Sequence, residues 1–294
     1  MSQSVSKTSR VSVSVVIPTY NRESLVLRAI HSALGQTHTD LEVIVVDDAS
    51  KDRTASVVDA IPDPRLRLLR HPTNLGGAVA RNTGLRAARG DFIALLDSDD
   101  EWLPEKLQVQ IGALLASGDD FCYCQCYLPH PDGRREILPP RPFSGGGLLS
   151  YLTSVRAAMQ SSACVVHRSV IVPFDESLSM HQDWDWVLQV ARRTDRFRFV
   201  PQPLYCFHTD APVRTANAQT ALAIERAQPF LRKHAQAIQA EPVARRYLFW
   251  GYAQDALACG NRRLARSILW QQRLFPSLWR RPTAFRTWFN SLRG

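Results

Sequence analysis

Several features that would assign this chain to a membrane or metal-scaffold class are missing. No stretch approaches 18 consecutive apolar residues, so no membrane-spanning helix is expected. No C-x2-C pair occurs among the six cysteines, which argues against a zinc-type site. Residues 1–10 are polar and do not resemble a secretion signal. We therefore expect a disordered N-terminus at 1–10 and a reducing, cytoplasmic setting.

The cysteines are better explained as core residues than as ligands. Cys122, Cys124 and Cys126 alternate with aromatic and polar residues, which is the side-chain period of a strand. Free cysteine behaves as a small apolar side chain and is often buried. The pattern therefore predicts buried, reduced thiols.

The positive charge is concentrated near the C-terminus. The 294-residue chain is 45% hydrophobic and 21% charged, which is ordinary for a globular protein with a sizeable core. Of its net charge of +9, +8 comes from residues 241–294, which hold ten arginines, no lysine and two acids. The basic character is therefore a property of the tail.

Strand and helix patterns alternate four times over about ninety residues. Short apolar or β-branched runs at 11–17, 42–46, 66–69 and 91–96 predict strands, and helical spacing follows the first three. Such alternation predicts an α/β fold with a doubly wound, mostly parallel sheet flanked by helices.

Carboxylates cluster directly after the fourth predicted strand, in Asp97-Ser98-Asp99-Asp100. Open α/β sheets bind ligands at the carboxyl ends of their strands, and adjacent carboxylates repel one another unless a cation or hydrogen bonds compensate. This favours a divalent-metal and phosphate site. The alternative is an acidic loop that caps a helix beginning in residues 100–105.

Polar residues also end the first two strands, in Thr19-Tyr20-Asn21-Arg22 and in Asp47-Asp48. Because parallel strand ends converge on one edge, these groups are expected to be neighbours of the acidic cluster. Tyr20 suits stacking on a base, Asp48 suits hydrogen bonds to a base or ribose, and Arg81 suits a pyrophosphate. Asp99 suits Mg²⁺ or Mn²⁺, which prefer oxygen ligands.

The rest of the chain divides into a mixed part and a helical part. Patterns predict a helix at 105–116, a strand at 120–127, a strand at 163–166, a helix at 181–193 and strands at 197–200 and 204–207. Five prolines and four glycines predict a long loop at 129–147. From about 215 the pattern is helical throughout, so we place a domain boundary at 210–220 and expect a helical appendage at 216–294.

Four segments together resemble the nucleotide-sugar half of a family 2 glycosyltransferase with the GT-A fold. They are Val15 to Arg22, Val45 to Ser50, Asn74 to Gly84 and Leu95 to Asp100. The resemblance implies a GT-A domain at 11–215, with a nucleotide-sugar half at 11–104 and an acceptor half at 105–215. It implies inverting transfer from a nucleotide-diphosphate donor, expected to be a UDP-sugar, to a glycan or lipid-linked acceptor, with Mg²⁺ or Mn²⁺ on the diphosphate. The residues it assigns to the donor are Pro18, Tyr20, Asn21, Arg22, Asp48, Arg81, Asp97 and Ser98, and those for the metal are Asp99 and Asp97.

The resemblance also implies a catalytic base. His181 to Trp186 is similar to the Glu-Asp-x-Asp segment that holds the base in related enzymes, with Gln182 where Glu is common. On that alignment Asp183 is the base and Asp185 the second choice. The alternative is that both acids only stabilise a helix N-terminus. Residues 205–208 resemble a Tyr-Arg-x-His element, in which His208 would reach the metal or diphosphate.

Two further absences bear on function. The chain has no Gln-x-x-Arg-Trp motif, which favours single-addition transfer over the processive synthases of this family. It also has no Gly-rich basic loop after the first strand, which a nucleotidyltransferase would be expected to carry. A nucleotidyltransferase and a non-catalytic nucleotide-sugar or glycan-binding protein remain the alternatives.

Tryptophan and phenylalanine are interleaved with the arginines of the tail. Arg-rich amphipathic helices with aromatic faces lie at anionic membrane surfaces, so residues 266–293 favour peripheral attachment to the inner face of the cell membrane. Packing onto the catalytic domain, expected for residues 243–258, and nucleic-acid binding, which is less favoured, are the alternatives.

Overall fold

The computed structural model describes residues 11–130, 132–208, 216–258 and 260–271. In this part of the chain a mixed sheet is flanked by helices, which confirms the predicted α/β architecture. The strands are β1 Val13–Thr19, β2 Leu41–Asp47, β3 Leu66–Arg70, β4 Phe92–Leu95, β5 Glu101–Trp102, β6 Phe121–Pro129, β7 Arg135–Leu138, β8 Cys164–His167 and β9 Phe197–Cys206. The helices are α1 Val26–Leu34, α2 Thr54–Asp59, α3 Gly77–Ala87, α4 Lys106–Ser117, α5 Leu148–Ser154, α6 Gln182–Val190, α7 Ala216–Lys233, α8 Ala235–Ala240, α9 Pro242–Ala258 and α10 Arg262–Gln271.

The N-terminal half of the sheet is parallel, in the order β3-β2-β1-β4. Strands β1 and β2 are apolar, largely β-branched and almost completely buried, as central parallel strands require. The register pairs Thr19 with Asp47 and Asp47 with Arg70, so these three strands end level with one another. The loops that follow them therefore meet at one edge of the sheet.

Helix α3 lies unusually close to β1. A Cβ atom at Gly84 would overlap the Cγ1 atom of Val16 on the strand beneath it. Only glycine therefore permits this approach. The close packing fixes Arg81, which lies one turn earlier on the same helix, relative to the strand ends.

The second half of the sheet mixes directions. Strand β8 is antiparallel to both β4 and β6, and β9 is parallel to β6. The two predicted strands at 197–200 and 204–207 are one strand, β9, with register shifts on either side of Gln125. Cys122, Cys124 and Cys126 on β6 are buried and free of disulfides, which confirms the prediction for these thiols.

One alternative and one prediction between residues 100 and 147 are wrong. The helix predicted at 105–116 is present as α4, but the alternative of a helix start within residues 100–105 is wrong, because β5 lies there, with Glu101 paired to Cys206, and α4 begins at Lys106. The expected loop at 129–147 contains β7, which pairs with β6 as a hairpin. In both places a distant or neighbouring strand supplies backbone hydrogen bonds that local composition does not reveal.

The C-terminal helices pack on the rest of the molecule through a second apolar core. Leu248 and Tyr252 of α9 and Phe230 of α7 are buried in it together with Leu149 of α5 and Leu178. Packing therefore accounts for the buried face of residues 243–258. Among the described residues no helix is long and apolar enough to cross a membrane. The proposed boundary at 210–220 and the segment at 266–293, for which membrane attachment is expected, both fall largely outside the described residues.

Candidate active site

A cleft of about 1060 Å³ opens at the carboxyl ends of the parallel strands. It is lined by residues from each of the strand ends that the sequence analysis selected. Its opposite wall is formed by residues 176–179, residues 181–184 and Arg226. The predicted residues that line the cleft are Pro18, Tyr20, Asn21, Arg22, Asp48, Arg81, Asp97, Ser98, Asp99 and Asp183. Asp185 and His208 are not among the lining residues.

The loop after β1 is bonded to the loop after β2. Asn21 has a left-handed backbone (φ 52°), a conformation that asparagine adopts more readily than most residues. Its Oδ1 accepts a hydrogen bond from the backbone N of Lys51 at 2.8 Å, and its own backbone N donates to Ser50 Oγ at 2.9 Å. The backbone N of Arg22 donates to Thr54 Oγ1 at 2.8 Å. These bonds hold half-buried Tyr20 at the cleft.

Asp48 is more constrained than the sequence indicates. Its Oδ1 and Oδ2 accept hydrogen bonds from the backbone N atoms of Leu75 (2.9 Å) and Gly76 (2.7 Å). Its Oδ1 also lies 2.7 Å from Nδ1 of His71, whose Nε2 lies 3.0 Å from Thr83 Oγ1. The carboxylate therefore anchors the loop before α3 as well as lining the cleft. Sequence reasoning missed His71, although it directly follows β3 at the same sheet edge.

Arg81 links the two sides of the cleft. Its Nη2 lies 2.7 Å from Asp97 Oδ1 and 4.0 Å from Asp183 Oδ1, and its Nη1 donates to Gln182 Oε1 at 3.2 Å. Burial raises the pKa of Asp183; nearby Asp97 adds to the rise and the Arg81 guanidinium opposes it. A carboxylate with this environment is suited to accepting a proton. Gln182, the departure from the common Glu, contacts Arg81 without adding a charge.

The acidic cluster divides by environment. Asp99 lines the cleft, 3.9 Å from Arg22, and burial together with the charge of Asp97 raises its pKa. Asp100 is buried and accepts hydrogen bonds from Ser162 Oγ at 2.6 Å and from the backbone N of His208 at 3.2 Å. The alternative that this cluster caps a helix is wrong for Asp100, because its partners are Ser162 and His208 and Glu105 occupies the N-cap position of α4.

His208 lies beside β5 and not in the cleft. Its Nε2 is 3.1 Å from Glu101 Oε2, and the ligand atoms of Glu101, Cys206 and His208 lie within 4.8 Å of one another. In this position the side chain contacts neither Asp97 nor Asp99. The β5–β9 pairing, which the sequence did not predict, holds the three residues together.

Asp185 lies on the opposite side of α6 from the cleft. It is completely buried, and its Oδ1 is 2.7 Å from Nε2 of His234 and 2.9 Å from Nζ of Lys233. Residues two apart on a helix point about 200° apart around its axis, so Asp183 and Asp185 cannot both face the cleft. Geometry thus favours Asp183 over the second choice.

Several residues of the far wall of the cleft were not predicted from the sequence. They include Glu176, which accepts a hydrogen bond from Asn82 at 2.8 Å, together with Trp184 and Arg226. Arg226 comes from α7, which the sequence assigned to an appendage. No local pattern marks such residues, because a helix that begins at residue 216 brings Arg226 to the site.

Comparison with known proteins identifies the family of the chain. Residues 14–171, more than half of the chain, match the family model described as "Glycosyl transferase family 2". The chain belongs to glycosyl transferase family 2.

Two relatives of this family 2 chain are bacterial glycosyltransferases. It is 31% identical over 210 residues to the amylovoran biosynthesis glycosyltransferase AmsB of Erwinia amylovora, covering 67% of this chain and 70% of AmsB. It is 43% identical over 111 residues to WfgD of Escherichia coli, a UDP-Glc:alpha-D-GlcNAc-diphosphoundecaprenol beta-1,3-glucosyltransferase. That match covers 38% of this chain but only 44% of WfgD, so it spans less than half of that relative.

A solved structure bears out the fold. The mannosyltransferase PcManGT of Pyrobaculum calidifontis, in complex with GDP-Man and Mn²⁺, superposes with a TM-score of 0.60 at 23% identity. The match covers 97% of this chain and 85% of PcManGT. The predicted GT-A fold of this family 2 chain is therefore confirmed.

The chemistry of the cleft fits a divalent metal of the kind that the family resemblance implies. Asp97 and Asp99 offer oxygen ligands in a shared cleft, and Mg²⁺ and Mn²⁺ prefer such ligands. Burial and, after it, the charge of Asp97 raise the pKa of Asp99, and a bound cation would favour the charged carboxylate again. The residues that would hold the metal are thus Asp99 and Asp97, as the resemblance implied.

Proposed function

We propose that this family 2 chain is an inverting glycosyltransferase that moves a sugar from a nucleotide-diphosphate donor to a hydroxyl of a glycan or lipid-linked acceptor. The observation that carries the proposal is the position of Asp183 and Arg81. Both line the same cleft as Tyr20, Asp48 and the acidic cluster, so a base and a donor pocket lie together. A binding protein would need the pocket but not a carboxylate with a raised pKa inside it.

Asp183 acts as the base in this proposal. Its carboxylate removes the proton from the acceptor hydroxyl while that oxygen attacks C1 of the sugar from the face opposite the diphosphate. The bond between C1 and the diphosphate oxygen breaks, so the anomeric configuration inverts. Arg81 presents paired N–H donors to the diphosphate. A divalent metal held by Asp97 and Asp99, when bound, offsets the negative charge of the leaving diphosphate.

A UDP-sugar is the proposed donor. The name of WfgD specifies UDP-Glc, whereas PcManGT is in complex with GDP-Man, so both nucleotides belong in the test. Tyr20 offers a ring face for a base, and this contact does not by itself select uracil over guanine. We expect UDP-sugars to raise the melting temperature of the protein in the presence of Mn²⁺, and GDP- and dTDP-sugars to do so less.

A lipid-linked acceptor at the inner face of the cell membrane is the second part of the proposal. The acceptor in the name of WfgD is linked to diphosphoundecaprenol. The exposed surface of the C-terminal helices carries Arg246, Arg262 and Arg263, with exposed Val243 and Tyr247 on α9. Basic residues near anionic headgroups contribute about 1 kcal/mol each, so this surface supports peripheral attachment in the cytoplasm. Nucleic acid is not proposed as a partner.

Asp183→Asn tests the proposed reaction. The amide cannot accept the proton, so we expect transfer to fall by at least about 100-fold while the donor still raises the melting temperature. Transfer is measured as release of the nucleoside diphosphate with and without acceptor. Unchanged transfer by Asp183→Asn would remove Asp183 as the base, and a wild type that binds donors without transferring sugar would favour a binding protein.

A further inference from the structure

Helix α6 presents different groups to its two sides. Asp183 in its first turn lines the cleft, whereas Asp185, two residues later, is completely buried on the side of the C-terminal helices. The orientation of the proposed base therefore depends on how the back of α6 is held. Besides the apolar packing, two polar contacts between the described C-terminal helices and this part of α6 stand out.

The first contact is a buried ion pair. The carboxylate of Asp185 lies between Nε2 of His234 (2.7 Å) and Nζ of Lys233 (2.9 Å), at the junction of α7 and α8. Lys233 also pairs with Asp175, which precedes the wall of the cleft. A buried carboxylate is tolerated only when its partners are held in place, so this contact fixes the back of α6 against α7 and α8.

The second contact lies at the start of α6, two residues before the base. His181 occupies the N-cap position with a left-handed backbone (φ 58°), which is uncommon for residues other than glycine and is maintained only where the surroundings impose it. Its ring stacks on Trp184, with centroids 4.4 Å apart, and its Nε2 lies 2.6 Å from the hydroxyl of Tyr252 on α9.

Burial lowers the pKa of His181 to about 4, so the imidazole is neutral near pH 7. The imidazole of His181 therefore contacts the Tyr252 hydroxyl in its uncharged form near pH 7.

We propose that Tyr252 and His234, on the C-terminal helices, are positioning residues that hold the carboxylate of Asp183 toward the cleft and near Arg81. The inference rests on the proposed function, because it assigns a role to these residues through the base. It also makes the C-terminal helices part of the catalytic unit. A small rotation of α6 would move Asp183 relative to the acceptor hydroxyl, and misplacement of about 1 Å costs on the order of 100-fold in rate.

Tyr252→Phe in the full-length protein is the decisive variant. It removes one hydroxyl and keeps the ring in the core, so we expect kcat to fall about tenfold with an unchanged KM for the donor. Gln254→Ala is the control, because Gln254 lies on the same helix but is exposed, and its kcat should equal that of wild type. The stoichiometry of donor binding, measured by calorimetry, gives the fraction of molecules with a folded site. It therefore distinguishes a misplaced base from a loss of folded protein.

His234→Gln and His234→Ala extend the test to the ion pair. Glutamine retains a hydrogen-bond donor toward Asp185, so His234→Gln should keep more of the wild-type kcat than His234→Ala, at equal donor stoichiometry. The inference is overturned if Tyr252→Phe retains kcat within about twofold of wild type, or if its loss of kcat only follows a loss of donor stoichiometry. Asp183→Asn is assayed in parallel: if it still transfers sugar, the proposed base has failed, whatever the Tyr252 variant does.

Discussion

At the scale of single residues, the ionisation of Asp183 makes a prediction about pH. Its folded-state pKa is raised, chiefly by burial, and only the deprotonated form accepts a proton. Transfer should therefore be lost as the pH falls through that raised value, which lies above the ordinary carboxyl pKa of about 4. The pH profile of kcat, measured between pH 4 and 8 with donor saturating, checks this. Acidic loss that begins only at the ordinary carboxyl pKa would contradict it.

The raised pKa of Asp183 affects activity and stability in opposite directions. Low pH removes the active, charged form, but it favours the folded protein, which disfavours that charge. A group whose folded pKa is raised contributes stability that is present at low pH and lost as the pH rises through the folded value. Acid inactivation through Asp183 should therefore precede unfolding. Circular dichroism across the acidic limb distinguishes the two, since the limb should appear without loss of helical signal.

Asp99 makes the second residue-scale prediction. Asp99→Ala removes one of the two carboxylates proposed for the metal, so metal-dependent donor binding should be lost. A donor at about 100 times its Kd stabilises the native state by roughly 2.7 kcal/mol, a rise of several degrees in Tm. This rise should disappear in Asp99→Ala and in wild type treated with EDTA. The exposed Asp195→Ala serves as the control and should keep it.

The residues of the cleft that topology alone could predict are those that end a strand, whereas Arg81 and Asp183, on α3 and α6, were predicted from side-chain chemistry and from the family resemblance. Tyr20, Asp48 and Asp99 were found because parallel strand ends must converge, and that rule needs no knowledge of the loops. Glu176 and Arg226 could not be found in this way, since they reach the cleft through long-range packing. The role of Asp185 was also unpredictable, because its partners Lys233 and His234 lie almost fifty residues away.

At the scale of elements, the packing of α3 on β1 makes a stability prediction. Gly84→Ala would force a methyl group into Val16, and overpacking of this kind typically costs about 1–3 kcal/mol. The free energy of unfolding from urea titration should fall by that amount, and donor binding should weaken because Arg81 moves with α3.

Gly112→Ala on α4 is the matched control for this substitution. An added Cβ there meets no atom within 4 Å, and the residue is an exposed helical glycine. Alanine is favoured over glycine in a helix by about 1 kcal/mol, so Gly112→Ala should increase stability. If both variants changed stability in the same direction, close packing at Gly84 would not be the cause.

Elements whose pattern is strong and local were predictable, and those formed by pairing were not. Strands β1, β2 and β4 are apolar over several residues and were found close to their observed bounds. Strand β5 has only two residues and β7 only four, and both exist because a partner strand offers backbone hydrogen bonds. In β9, two prolines and a bulge interrupt the apolar pattern, and for this reason the sequence predicted two short strands instead of one.

At the scale of the whole molecule, two cores meet at α6. Trp184 and Leu188 pack against both the sheet core and the core of the C-terminal helices, so the two are not independent units. Composition separates residues 216–294 as a basic helical segment, and this separation is correct for charge. It does not describe the packing, because Leu149 and Leu178, which precede this segment, are buried in one cluster with residues of α7 and α9.

Truncation tests this shared packing. A chain that ends after residue 240 lacks α9 and α10, and so loses the buried side chains of Leu248, Tyr252 and Ile268 from the second core. Burial of a large apolar side chain contributes about 1.5–3 kcal/mol, so these losses together approach the whole stability of a domain. We therefore expect chain 1–240 to lose its cooperative thermal transition, its donor-dependent rise in Tm and its transfer activity.

Chain 1–271 keeps every described helix and should retain all three properties. It should bind less well to anionic liposomes in flotation if residues 272–294 contribute to the membrane surface. A fully active chain 1–240 would mean that the C-terminal helices are dispensable for the site, and an unchanged flotation of chain 1–271 would place membrane binding on the described helices instead.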